Sequence, residues 1–294
     1  MIKQKIDFVK CNPTQNMTIL INTKLPPDEH KRVAAKIMSY DNVYAEQVGF
    51  IEQSKKDDAD AFLRMAGGEF CGNACMALAA YLAEVQGIER HITTEFRLEV
   101  SGTERLVSCR ITKNKEDYRC RVNMPLPVSM DQTVLQDGCS LVDAVVVRFK
   151  DFVHFVIEAE CCDAQMKSSM LAMAKHIGPF LDTRMVGILL YNPRTRELTP
   201  LIYVPGLDSA VWERGCGSGT ASVGAYLAWK HKRDVEASIK QPGGTIHVKA
   251  LFDQNRLTHL EIEGAVGIAA QGIAFIDLDE DHTAGVGIRE TNHV

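Results

Sequence analysis

Long apolar runs are missing from this sequence of 294 residues. No stretch approaches 18 uninterrupted apolar residues, and the N-terminal segment MIKQKIDFVKCNP has no apolar signal core. A membrane-spanning helix needs about 20 apolar residues, and a secretory signal needs a core of about 7 to 15. We therefore expect neither membrane insertion nor secretion, and a cytoplasmic location follows by default.

Clusters of basic residues are also missing. The 33 Lys and Arg residues are scattered, the net charge is −5 and the pI is near 6.0. Proteins that bind nucleic acid usually carry a basic patch or stripe, so no nucleic-acid partner is expected. A composition with 46% hydrophobic and 24% charged residues is typical of a globular protein with a packed core.

The nine cysteines do not indicate a disulfide framework. An odd number in a chain too large to need crosslinks fits a reducing compartment, so most should be free thiols. The ordinary state of such a residue is that of a small buried hydrophobe. We expect this of Cys109, Cys120, Cys139, Cys161 and Cys162.

The local patterns predict a mixed α+β fold. Short runs rich in β-branched residues, separated by Gly, Pro and Asp, predict strands; they cover 17–22, 47–52, 60–65, 96–102, 105–112 and 118–124. Helical periodicity is found at 28–40, 73–86, 163–177 and 219–232.

One cysteine-headed segment occurs twice. EFCGNACMALAAYL (69–82) and RGCGSGTASVGAYL (214–227) agree at Cys-Gly and again at Ala-Tyr-Leu when the two cysteines are aligned. Earlier segments of the two halves match in the same order, with an offset that grows before the second cysteine as an insertion near 206–212 would produce. We infer an internal duplication. It divides the chain into an N-terminal lobe, 1–127, a C-terminal lobe, 128–277, and a flexible tail, 278–294.

Each duplicated cysteine stands directly before a predicted helix. Gly-Asn follows Cys71 and Gly-Ser-Gly follows Cys216, and Ala-rich amphipathic stretches come next. Asn73 and Ser218 are residue types that favour helix starts. The field at a helix N-terminus lowers the pKa of a thiol from about 8.5 toward neutrality. We therefore expect both thiols to be poised to give or take a proton.

The helix starts also offer backbone N–H groups. The first N–H groups of a helix have no partner within it and bind anions, including carboxylates. Gly72 and Asn73, with Gly217 and Ser218, are thus candidates to hold a substrate carboxylate and to stabilise negative charge on the adjacent carbon. Pseudo-symmetric lobes would place the two thiols across one cleft, where one removes a proton from one face of that carbon and the other returns a proton to the opposite face. This is racemisation.

Three other chemistries fit less well. Cys71-x-x-x-Cys75 could be half of a metal site, but no second Cys or His pair accompanies it, and structural zinc needs four ligands. GCGSGT lacks the Gly-Lys-Ser/Thr ending of a phosphate-binding loop. A Cys-His hydrolase could use His154 or His247 as its base, but that reading leaves the second cysteine segment unexplained. No metal site is expected, and His154, which lies in an apolar run, is expected in the core.

The segments CGN and CGSGT, each heading a helix in duplicated lobes, resemble those of the cofactor-independent amino-acid racemases and epimerases of the diaminopimelate epimerase superfamily. The resemblance covers nearly the whole chain and includes NPTQNMTIL, EQVGFIE, QPGGTIHV and IEGAVGIAAQG. It implies an α+β fold of two pseudo-symmetric lobes with the active site in the cleft between them. It also implies Cys71 and Cys216 as the two bases, no pyridoxal phosphate or metal, and a homodimer.

Departures from the diaminopimelate epimerase pattern bear on the substrate. MAGGEF is shorter than the loop that helps those enzymes to hold the far end of their substrate, and Phe152 replaces an Asn that contacts the same end. The polar Gly-Glu-Thr stretch that precedes their second cysteine is missing here, so Glu213 lies only three residues before Cys216. A site without such polar groups should not repay the desolvation of a second amino-acid head group. The chain is more similar to the histidine racemases that supply D-histidine for opine-type metallophores such as staphylopine, which implies L-histidine as the substrate. Diaminopimelate, another basic amino acid, or a non-catalytic role in binding a small acid stay open as alternatives.

The resemblance also assigns residues to the substrate pocket. It implies that Asn16, Glu46 and Glu213 line the site, where a carboxylate holds the substrate ammonium, and it gives Gln47 a weaker claim to the same role. Solvated surface acids and a simple turn residue are the alternative interpretations of the two glutamates and of Asn16.

Overall fold

The computed structural model describes residues 3–137 and 140–277. Cys139 and the predicted tail, 278–294, lie outside the described residues. The α-helices are α1 (His30–Met38), α2 (Gly72–Val85), α3 (Ala164–Ile177) and α4 (Gly217–His231).

The first seven strands are β1 (Gln4–Pro13), β2 (Thr18–Ile21), β3 (Gln47–Glu52), β4 (Ala61–Met65), β5 (Thr93–Val100), β6 (Val107–Lys113) and β7 (Tyr118–Asn123). The remaining strands are β8 (Ser129–Asp137), β9 (Ser140–Arg148), β10 (Phe152–Glu158), β11 (Met185–Asn192), β12 (Glu197–Val204), β13 (Ser209–Trp212), β14 (Val235–Gln241), β15 (Gly244–Asp253) and β16 (Arg256–Ile276). The expected mixed α+β fold is confirmed, and every strand and helix expected above is present.

Strands β1 to β7 and β16 form a closed ring around α2, called the N-terminal ring below. Each strand pairs with the next along the chain, β7 pairs with β16, and β16 pairs with β1. Helix α2 contacts all eight strands. Its sequence, GNACMALAAYLAEV, is apolar on most sides, so it can be buried on most sides as well.

Strands β8 to β12 and β14 to β16 form a second set around α4, called the C-terminal strand set below. The pairings between consecutive strands, from β9 to β12 and β14, repeat the antiparallel, parallel, antiparallel, parallel order found from β1 to β5. The residues inserted relative to the first half form a 3-10 turn, Pro205–Leu207, and strand β13. The two halves therefore share a strand order, as an internal duplication requires.

The long strand β16 joins the two sets. Its first part pairs with β15, its middle with β7, and residues 266–276 pair with β1. The segment that the sequence division assigned to the second lobe thus closes the N-terminal ring. The lobe boundary at 127/128 stays a prediction.

The outer helices cover the sheet from outside. In α1 the buried residues are His30, Val33, Ala34 and Ile37, which have the spacing of one helical face and pack against β3 and β16. Helix α3 packs in the corresponding place on β8, β11 and β12. The inner helices α2 and α4 share one continuous apolar core. Within the described residues, no helix is long and apolar enough to cross a membrane.

The free thiols divide into buried and accessible ones. Cys109 and Cys120 are buried, as expected, and Cys75 is buried as well. Cys161 is exposed and Cys162 is partly exposed, so the expectation was wrong for Cys161 and held only in part for its neighbour. Both lie in the loop that leads into α3, where Cys162 packs against the edge of an apolar cluster and Cys161 remains at the surface.

Candidate active site

The N-termini of α2 and α4 meet at one side chain. A Cβ added at Gly72 would lie 2.9 Å from Sδ of Met124 and 3.2 Å from Cδ1 of Ile262, and one added at Gly217 would lie 3.0 Å from the same Ile262 atom. The first residue of each helix must be small because Ile262, in the shared strand β16, fills the space between them. The duplicated Cys-Gly pairs are therefore neighbours in space.

A hydrogen bond also joins the two helix starts. Nδ2 of Asn73 donates to the backbone carbonyl of Gly215 at 3.0 Å. Oδ1 of Asn73 is buried and has no hydrogen-bond partner among the described residues. Asn73, whose backbone N–H is predicted to bind the substrate, thus also holds one helix start against the other through its side chain.

Both cysteines line one cleft between the helix starts. The cleft is small: about 420 Å³ of empty space lies between its walls when the open solvent at its mouth is included, and about 70 Å³ of this space can hold the centre of a water-sized molecule. Its lining residues are Gln47, Glu69, Phe70, Cys71, Gly72, Asn73, Met185, Ile202, Glu213, Cys216, Gly217 and Ser218.

Eight of the ten residues assigned to the site from the sequence line this cleft: Gln47, Cys71, Gly72, Asn73, Glu213, Cys216, Gly217 and Ser218. Asn16 is only 1% exposed and lies behind the lining, in contact with Gln47 and Glu213. Glu46 is exposed and is not among the described residues that line the cleft. The structure thus places these last two beside the site and not in its wall, and their roles stay predictions.

Each cysteine is itself the N-cap of its helix. Both have extended backbone conformations, and the Sγ of Cys71 accepts a hydrogen bond from the N–H of Ala74 at 3.4 Å. The Sγ of Cys216 accepts one from the N–H of Gly219 at 3.2 Å. The cap position that Asn73 and Ser218 were expected to supply is therefore taken by sulfur, which places both sulfur atoms at the positive ends of helix dipoles.

The expected lowering of the thiol pKa values is wrong. Burial raises the pKa of Cys71 to about 12, and the negative charges of Glu69 and Glu213 add to the rise. The pKa of Cys216 is likewise raised well above its ordinary value, first by burial and then by Glu213. Backbone N–H groups at both helix starts act in the opposite direction but do not outweigh burial. Both shifts favour the thiol over the thiolate form of these residues.

The carboxyl group of Glu213 is the titratable partner of Cys216. Burial raises its pKa from 4.5 to about 7, although hydrogen bonds from the Cys216 thiol and from Asn16 act to lower it. The charge of Glu46 adds to the rise. A carboxyl group that titrates near neutrality and contacts a thiol can take up that thiol's proton.

Sequence reasoning missed four lining residues: Glu69, Phe70, Met185 and Ile202. Glu69 carries a charge, and burial raises its pKa. Glu69 lies two residues before Cys71, whereas the equivalent position before Cys216 holds Arg214. This difference between the two repeated segments is the signal that could have marked Glu69 as a functional residue. Met185 and Ile202 come from β11 and β12, and no local pattern marks an apolar strand residue as part of a cleft.

His154 is a core residue, as expected. It is fully buried in β10, its Nδ1 lies 2.8 Å from Oγ of Ser222, and burial lowers its pKa to about 3. It does not line the cleft. In residues 3–137 and 140–277, no group of three or more His, Cys, Asp or Glu side chains is arranged to hold a metal ion.

The fold has close counterparts among solved structures. The structure of a probable proline racemase from Agrobacterium radiobacter superposes with a TM-score of 0.71 at 12% identity, covering 97% of each chain. The chain thus has the fold of proline racemase-type enzymes, with paired thiols at the helix starts between its halves.

Sequence comparison defines the family within this fold. The sequence model of one protein family, the histidine racemase CntK N-terminal domain, matches residues 5–275 of this chain. Histidine racemase of Staphylococcus aureus is 33% identical over 282 residues, which cover 94% of this chain and all of that protein. Histidine racemase of Fusobacterium nucleatum is 29% identical over 276 residues, covering 93% of this chain and 98% of that protein. The chain belongs to the histidine racemase family, and its enzyme class is that of the isomerases.

Proposed function

We propose that this protein interconverts L- and D-histidine by a two-base mechanism in which Cys71 and Cys216 act on opposite faces of the substrate Cα. The observation that carries the proposal is the position of both thiols, each at the start of its own helix, in the wall of one cleft. The names of the curated relatives support histidine as the substrate. No cofactor is needed in this proposal.

The helix starts hold the substrate carboxylate in this proposal. Gly72, Gly217 and Ser218 line the cleft at positions where backbone N–H groups have no partner within the helix. A carboxylate bound there stabilises the negative charge that spreads from Cα when its proton leaves. Two helix dipoles aimed at the same carboxylate supply a fixed positive field without an electron-accepting cofactor.

Proton transfer begins at Glu213. Its carboxylate takes the proton of the Cys216 thiol, which leaves a thiolate, while Cys71 keeps its proton. The Cys216 thiolate then removes the α-proton from one face, and the Cys71 thiol delivers its proton to the opposite face. The cleft ends with a Cys216 thiol and a Cys71 thiolate, and the opposite enantiomer reacts by the reverse steps. The substrate ammonium, close to both sulfurs, stabilises whichever thiolate is present.

The charges of the cleft suit histidine. Glu69 and Glu213 are its two carboxyl groups, and histidine has two groups that donate to carboxylates, its ammonium and its imidazole N–H. Glu213 lies at the reacting thiol. Its carboxylate can accept from the ammonium as substrate binds, and its carbonyl oxygen can continue to do so after the group has taken the Cys216 proton. We assign the imidazole to Glu69, with Phe70, Met185 and Ile202 as the apolar surface around the ring.

Exchange of the α-proton tests the mechanism. Purified protein is incubated with L-histidine in D₂O, and loss of the α-proton signal is followed by NMR together with formation of the D-enantiomer. We expect both in the wild type, and a loss of at least about 100-fold in Cys71→Ser and Cys216→Ser. Cys161→Ser is the matched control, because this thiol is exposed and is not among the residues that line the cleft.

The outcomes separate substrate from mechanism. Exchange undiminished without either cleft cysteine would refute the two-thiol mechanism. Exchange of the α-proton of diaminopimelate or of another basic amino acid, but not of histidine, would refute histidine as the substrate and leave the two-thiol mechanism standing. No exchange of any amino acid would favour a non-catalytic role in binding a small acid.

Three further proposals rest on family resemblance. The D-histidine formed would supply an opine-type metallophore, the protein would act in the cytoplasm, and it would be a homodimer. Light scattering of the purified protein tests the dimer, and a monomer mass would refute it. Cell fractionation tests the location. Loss of metallophore on deletion of the gene, restored by added D-histidine, tests the pathway.

A further inference from the structure

A continuous series of side-chain hydrogen bonds joins the two cleft thiols. The thiol of Cys71 donates to Oε1 of Gln47 at 2.7 Å, and Nε2 of Gln47 donates to Oδ1 of Asn16. Glu213 is next to both Asn16 and Cys216, since the Asn16 amide and the Cys216 thiol both lower the pKa of its carboxyl group as hydrogen-bond donors. We call these five residues the thiol-to-thiol chain. Asn16, the middle member, touches neither cysteine in this series.

The amide side chains of Gln47 and Asn16 give the thiol-to-thiol chain a direction of hydrogen bonding that can reverse. An amide presents an oxygen on one side and an N–H on the other, so a half-turn of both Gln47 and Asn16 exchanges every donor for an acceptor. In the observed direction Cys71 donates and Glu213 accepts, which requires a Cys71 thiol and favours a Glu213 carboxylate, the stronger acceptor. In the reversed direction Gln47 donates to Cys71 and Asn16 accepts from Glu213, which requires a protonated carboxyl group and favours a thiolate, because a thiol sulfur is only a weak acceptor.

We propose that Asn16 and Gln47 are positioning residues that couple the charge of Cys71 to that of Glu213, so that a negative charge on one disfavours a negative charge on the other. Between the two forms one proton leaves the Cys71 sulfur for solvent in the cleft, and one proton from solvent joins Glu213. The amides turn but carry no proton. Cys216 donates to Glu213 in both of these forms, so its thiol stays protonated when Cys71 is ionised. Transfer of the Cys216 proton to Glu213 is a separate step, in which Cys71 stays a thiol and the amides keep the observed direction.

Burial gives this coupling its strength. Asn16 is 1% exposed, so a mismatched amide there would leave a polar group without a hydrogen-bond partner and almost without access to water. Direct repulsion between Glu213 and Cys71 acts in addition. Other titratable groups that face the chain directly, or act on it through Glu46 and Glu69, are Cys75, Glu46, Glu69, Lys10, Arg214, Asp151 and Arg184.

The coupling is a property of the unliganded protein, and only its use in turnover rests on the proposed function. Its test therefore needs no substrate. The pH midpoint of Cys71 alkylation by iodoacetamide is measured by mass spectrometry of the Cys71 peptide. Four proteins are compared: the wild type, Glu213→Gln, Asn16→Ala and the double variant. Alkylation of the exposed Cys161 in the same samples is the internal control.

We expect Glu213→Gln to lower the Cys71 midpoint by about 1 pH unit when Asn16 is present, since both repulsion and the amide coupling are removed. In the Asn16→Ala background only repulsion remains, and the lowering should be less than half as large. The midpoint of Cys161 should not move in any of the four proteins.

Equal lowering in both backgrounds would overturn the proposal, because repulsion through space would then account for the whole effect. If Asn16→Ala does not fold, Gln47→Met breaks the chain at the next residue, and the same comparison with Glu213→Gln applies. A merely structural role for the amides would change the melting temperature without changing this difference of midpoints. Absence of histidine exchange would refute the proposed function but not the coupling.

Discussion

Replacement of Glu213 by Gln should remove a pH-dependent loss of stability. Burial raises the pKa of this carboxyl group from 4.5 to about 7, so the folded protein binds its proton more tightly than the unfolded chain does. A rise of this size corresponds to about 3 kcal/mol, at about 1.4 kcal/mol for each pH unit. Because Glu213 is partly open to the cleft, solvent screening reduces the expected effect to about 1–3 kcal/mol.

The direction follows from proton binding. Between pH 4.5 and 7 the folded state holds a proton at Glu213 that the unfolded state has lost, so the wild type loses this stability as the pH rises through about 7. The Gln variant has no group to ionise at this position. Its free energy of unfolding, relative to the wild type, should therefore increase by about 1–3 kcal/mol from pH 4.5 to pH 8.

Urea unfolding at several pH values measures this difference, and contributions common to both proteins, such as that of His154, cancel. The exposed Glu89→Gln is the matched control and should show a constant difference from the wild type. A constant difference for Glu213→Gln as well would mean that the Glu213 carboxyl group ionises as easily in the cleft as in water. The proposed transfer of the Cys216 proton to this group would then lose its basis.

Two further substitutions test packing and substrate binding. A Cβ at Gly187 would lie 2.4 Å from Cδ2 of the buried His154, so Gly187→Ala should destabilise the protein by about 1–3 kcal/mol in urea unfolding. Gly267→Ala, in another strand with nothing within 4 Å of the added Cβ, should be nearly neutral, and equal effects would contradict the packing argument. Glu69→Gln should raise the KM for histidine by about 10-fold or more with a smaller change in kcat, because a hydrogen bond to a charged group is lost. An unchanged KM would exclude Glu69 as the imidazole partner, and Glu89→Gln again serves as the control.

Much of the architecture could be predicted from the sequence because its causes are local. Helix α2 was expected at 73–86 and is found at Gly72–Val85, and β3 has the expected bounds. The repeated Cys-Gly segments also predicted that the two thiols would share a cleft, since duplicated lobes place equivalent loops opposite each other. Hydrophobic periodicity, capping residues and repeated segments can all be recognised within short stretches of consecutive residues.

Properties that depend on distant residues were decided by the tertiary structure. The end of β16 closes the N-terminal ring by pairing with β1, about 260 residues earlier in the chain. The helix ends were expected to lower the thiol pKa values, but burial beside Glu69 and Glu213 raises that of Cys71. Asn16 became a link between two cleft residues because Gln47 and Glu213 pack on either side of it. The sequence by itself determined which groups carry the chemistry. Their charge states were decided only by folding, because desolvation and repulsion depend on neighbours that come together from both halves of the chain.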